Sequence, residues 1–193
     1  MMTTKDLILT VTDITKENLS HVDKWMHKLS EKQLNWRPNP GVWSVVEVLS
    51  HLNSYSRYYH PAFKNKIKNT RFRNTKEDFV SSPLGRAAWK SMKLGRLNNI
   101  KRKFKAPKGH NPTIDSNMIS DSEVSNFKDN QNELIDIFEL SSQVNLRKVK
   151  VPISISKIVR LKLGDALLFV VYHNQRHMQQ ILKLKNSPNF PRK

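Results

Sequence analysis

Seven histidines punctuate the 193-residue chain, and three of them interrupt apolar stripes at helical spacing. His51 falls among Val48, Leu52 and Tyr55, while His173 and His177 stand where Ala166, Phe169, Val170, Ile181 and Leu184 define a buried face. Residues four apart on a helix are neighbours, with Cβ atoms roughly 5–6 Å apart, so the His173 and His177 rings can both turn a nitrogen toward one point. A ring from a facing helix completes a set of three ligands. Three neutral imidazoles that leave one or two coordination positions open suit catalytic zinc, and equally nickel, iron or cobalt. Glu47, one turn before His51, has two readings: a fourth ligand or a general base that orients a metal-bound water, or the partner of Ser44 in a capping box. His21, His27, His60 and His110 lie on polar faces or in loops and are read as solvated. Tyr55, Tyr58 and Tyr59 either line a pocket above a metal or pack in the core. Arg176, beside the histidine pair, is read as a surface or interface residue.

The elements that must carry these residues are helices. Leu7, Val11, Ile14, Val22, Trp25 and Leu29 share one stripe of a first helix over residues 4–30. Pro38 and Pro40 exclude its continuation. Ser44 starts a second helix that runs to Lys68, with Val45, Val48, Leu49, Leu52, Tyr59, Phe63 and Ile67 inward and Pro61 within it. A third helix spans 120–142 and buries Val124, Phe127, Leu134 and Phe138; a fourth enters at Gly164-Asp165. Between the second and third lies a long crossover, residues 69–117, with one short helix near 85–93. No strand pattern outweighs the helices. The expectation is one all-α domain over residues 1–193, a four-helix bundle with a long crossover between helices two and three.

The crossover is chemically unusual. From residue 80 to 113 there is no acidic residue, against nine basic ones, and the whole chain carries a net charge of +18. Such a surface attracts anions, leaving nucleic acid, headgroups and acidic substrates open. The absence of cysteine excludes a disulfide framework, a thiolate zinc site and a cysteine nucleophile. The longest apolar run, residues 166–172, is far short of the roughly 20 residues of a spanning helix, and the N-terminal segment lacks a signal-peptide pattern. A cytoplasmic protein with no membrane role is expected.

Two strings carry a resemblance. Leu34-Asn35-Trp36-Arg37-Pro38 followed by Trp43-Ser44-Val45-Val46-Glu47-Val48-Leu49-Ser50-His51-Leu52, and the C-terminal Leu163-Gly164-Asp165-Ala166-Leu167 with His173-Asn174-Gln175-Arg176-His177 and Gln180, resemble the DinB-like (YfiT-like) superfamily. The resemblance implies a four-helix bundle holding a divalent metal, often nickel or zinc, on His51, His173 and His177. It also implies a homodimer and a small-molecule substrate. Members include thiol-dependent S-transferases, a maleylpyruvate isomerase that uses a thiol cofactor, and metal-dependent hydrolases. The function expected is therefore a metal-dependent enzyme, a small-thiol S-transferase or a hydrolase, with a low-molecular-weight thiol as possible cosubstrate. The alternatives are a nucleic-acid-binding protein acting through Lys101-Arg102-Lys103 and a metal-binding stress protein without turnover.

Overall fold

The computed structural model describes residues 2–114 and 122–192. A two-residue strand β1 (Met2–Thr3) leads into α1 (Thr4–Lys24), followed by a short α2 (Glu31–Asn35), a long α3 (Val45–Lys68), strand β2 (Asp78–Phe79) and α4 (Pro83–Met92). After the crossover come α5 (Glu123–Ser141), a hairpin of β3 (Lys150–Ile153) and β4 (Ser156–Lys162), and α6 (Leu163–Lys185). The protein is mostly helical, with a small strand content. Among the described residues no helix is long and apolar enough to cross a membrane.

The starts of the helices follow from their caps. Thr3 and Asp6 form a reciprocal capping box on α1, Ser30 and Gln33 on α2, and Ser44 and Glu47 on α3, each satisfying two orphan amides. Ser82 caps α4, where Pro83 loses nothing by lacking an N–H. The four long helices close a ring: α3 packs on α5, α5 on α1, α1 on α6 and α6 on α3, while α4 lies against α6.

Several expectations need correction. The first helix does not reach residue 30: Trp25 leaves helical geometry (φ −151°), and a 3₁₀ turn over Met26–Lys28 then drops Met26 into the core. The helix of residues 120–142 is α5; its first two residues lie outside the described ones, as do residues 115–117 of the crossover. The segment before α6 is an antiparallel hairpin that pairs Val151 with Leu161, both buried. In β4 the Val159 and Leu161 side chains alternate with Arg160 and Lys162, a period-two signal that the sequence does carry. β1 pairs with β2.

The core is split in two. One cluster gathers Leu7, Tyr55, Phe63, Phe138 and Leu167, the other Met26, Leu49, Leu52, Phe127 and Ile181. On α3 the boundary falls between Leu52 and Tyr55, and on α6 between Tyr172 and Met178. A buried polar layer occupies that level: Asn18 and Asn174 both donate to Oε1 of Gln131, at 3.3 and 3.5 Å. Asn53, on α3, accepts from Asn130 at 2.9 Å. Polar groups buried in this way are costly unless paired, so the layer marks where the fold gives up apolar packing.

Candidate metal centre

Within this layer α3 supplies His51, and α6 supplies His173 and His177. His51 and His173 are buried and His177 partly so. One ligand nitrogen from each ring lies within 4.8 Å of the other two, and the ring centroids form a triangle of 5.1, 4.7 and 4.6 Å. The structure thus brings together the three histidines singled out from spacing.

Hydrogen bonds fix how two of the rings present themselves. His51 Nδ1 lies 2.6 Å from the main-chain carbonyl of His110. A carbonyl only accepts, so Nδ1 carries the proton and Nε2 keeps its lone pair. His177 Nδ1 donates likewise to Oε1 of Gln180 at 3.0 Å. The third ring, His173, places Nε2 3.2 Å from Nε2 of His51, and its Nδ1 is buried with no partner among the described residues. With the proton on His173 Nδ1, two lone pairs face one another, an arrangement that a cation between them stabilises. Oriented imidazoles held through their other nitrogen are the usual support of a metal ligand.

Electrostatics favours the ligating form. Burial lowers His51 to about 4, a shift that the bond to the His110 carbonyl only partly opposes. Burial, reinforced by the neighbouring rings, holds His173 and His177 well below the ordinary histidine value. All three are therefore neutral at physiological pH, the state that binds metal. The walls are aromatic: Trp43 stacks on His177 at 6.4 Å, Phe169 on His173 at 5.9 Å, and Tyr55 packs at 4.4 Å from His173. Tyr55 and Tyr59 are core residues, and burial raises Tyr55 to about 12.

Glu47 stands elsewhere. Its Oε2 accepts from the Ser44 amide and from Arg37 Nε, both at 2.8 Å, and its Oε1 accepts from Arg37 Nη2. The carboxylate is committed to the start of α3 and to a bidentate ion pair.

Three other residues depart from their expected places. His110, expected in solvent, is buried and packs 4.1 Å from Tyr55. Ser54 Oγ must donate to the His51 carbonyl at 2.7 Å, so His110 Nδ1 donates to Ser54 Oγ at 2.8 Å. Main chain and side chain of His110 thus both clamp the His51 turn. His60 is also buried and pairs with Glu133 at 2.6 Å. Arg176 is not a surface residue: it is buried, donates to the Arg102 carbonyl and lies over the Phe104 ring at 5.3 Å. His110 and Arg176 together fasten the crossover to α3 and α6. No local signal announced either role, because both depend on where an aperiodic segment lands.

Compared with protein-family models, the chain matches that of the DinB superfamily over residues 14–181. The chain belongs to the DinB superfamily. The match begins within α1 and ends within α6, so it includes His51, His173 and His177. No curated protein and no solved structure matches the chain.

Proposed function

We propose that this DinB protein is a metal-dependent enzyme with one divalent transition metal, nickel or zinc, on His51, His173 and His177. The observation that carries the reading is the convergence of three neutral imidazoles, two of them held by an Nδ1–H bond to an oxygen acceptor. The four long helices are read as a four-helix bundle whose polar layer is the site. A divalent ion bound there supplies Lewis acidity, which lowers the pKa of a water or thiol.

The chain's own residues narrow the choice of reaction. A general base would assist attack by a metal-bound water, and the Glu47 carboxylate is engaged by Arg37 and Ser44. Transfer of a small thiol to an electrophile needs no such base, since a thiol lies within about two pH units of neutrality unaided. Trp43, Phe169 and Tyr55 pack apolar surface against the rings, and a less polar surrounding strengthens electrostatic interactions at the site. Small-thiol S-transfer is therefore the favoured activity.

The test is a panel of low-molecular-weight thiols with electrophilic acceptors, run beside ester substrates. Turnover with a thiol should vanish on chelation, return with nickel or zinc, and be absent in His177→Ala. Turnover that survives chelation would contradict the proposal, and ester hydrolysis without thiol transfer would assign the metal to water instead.

A further inference from the structure

Away from the histidines, two acid-free stretches of chain meet at one pole. Residues 65–76 carry Lys66, Lys68, Arg71, Arg73 and Lys76, and residues 140–164 carry six further cations, with no Asp or Glu in either. Asn145 ties them together, donating from its amide to the Phe72 carbonyl at 2.9 Å and from Nδ2 to the Asn74 carbonyl at 3.0 Å. Between the stretches runs an open groove of about 290 Å³, lined by Lys66, Arg71, Phe72, Lys148 and Lys150 with Val149 in its wall. None of these four cations is in an ion pair among the described residues. Arg147, Lys148 and Lys150 also stand close enough to Lys162 to disfavour its charge, adding to the larger effect of burial against the pull of Asp165.

Gathering like charges around a groove raises the energy of the free protein, and a polyanion relieves it. Phe72 adds a second feature. Phe72 is 36% exposed and lines the groove, with the Arg71 guanidinium 5.3 Å from its ring centroid. Cations that track a backbone beside an exposed aromatic ring form the elements of a single-strand site, because an unpaired base can stack where a base in a duplex cannot. We propose that this groove binds single-stranded nucleic acid, with phosphates on Lys66, Lys148 and Lys150 and a base on Phe72. This site is separate from the metal centre and does not depend on it.

Fluorescence anisotropy of the 193-residue chain with a labelled oligodeoxythymidine of about 20 nucleotides tests this. Phe72→Ala should weaken binding about tenfold, the scale of one base stack, whereas Phe72→Tyr should retain it. Replacing Lys66, Lys148 and Lys150 by Gln should reduce the salt slope by about 2, and thermal melting of the variants verifies the fold. Replacing Lys101, Arg102 and Lys103 by Gln should have a smaller effect. Equal losses in the groove and crossover variants, equal affinity for a duplex of the same length, or preference for phosphatidylserine vesicles would each overturn the proposal.

Discussion

Burial of neutral imidazoles makes the metal-free protein sensitive to acid. His51 titrates near 4 in the folded state and near 6.5 when unfolded, so between these values the unfolded chain binds a proton that the folded one refuses. Stability is then full above about pH 6.5 and falls as pH drops toward 4. His51 alone accounts for a loss on the order of 3 kcal/mol. Denaturant unfolding of chelated protein at pH 7, 6, 5 and 4.5 should show that decline, and His51→Gln should make it shallower while leaving the share of His173 and His177; parallel profiles for the two proteins would place the acid sensitivity elsewhere. At this scale the site was largely legible. Polar rings at positions 51, 173 and 177 break apolar stripes, and helical periodicity dictates that they face inward. Glu47 was ambiguous for a physical reason: a carboxylate three residues after Ser44 satisfies the cap whether or not it reaches a metal.

Elements enter where side chains meet across the ring of helices. The crossover turn at His110 sets the His51 tautomer through its carbonyl, and its ring holds that turn in place through Ser54 and Tyr55. His110→Ala should therefore raise the metal dissociation constant by about 10–100-fold, the usual effect of losing a residue that orients a ligand. Direct metal titration would measure this, and an unchanged affinity would show that the turn holds without its ring. The contact of α4 with α6 is equally specific. A Cβ on Gly85 would lie 2.1 Å from Asp165 Oδ2, and that carboxylate is fully buried and accepts from the Ser82 amide and hydroxyl, both at 3.0 Å. Gly85→Ala should cost about 1–3 kcal/mol in chemical denaturation, and a neutral result would mean that Asp165 can swing away. The start of α3 was readable from its capping box, and the apolar stripes showed where the long helices run. The break at Trp25 was not, since Trp25 and Leu29 continue the apolar spacing of α1 and only packing shows that the chain turns.

Across the whole molecule, charge and chemistry are distributed separately. The histidines sit in a buried layer between two apolar clusters, whereas the excess of cations lies on the surface of the crossover and of the pole where α3 meets the hairpin. Sequence order hid this second concentration, because residues 65–76 and 140–164 become neighbours only when α3, α5 and the hairpin pack. The helical architecture, by contrast, was visible from periodicity and from the resemblance at both ends of the chain. Metal binding in the layer between the clusters is open to equilibrium titration of chelated protein with nickel and with zinc. Wild type should take up about one ion per chain, and His51→Ala, His173→Ala and His177→Ala should each lose most of that affinity while remaining folded by circular dichroism. Full uptake by the His173→Ala and His177→Ala proteins, or none by wild type, would contradict it.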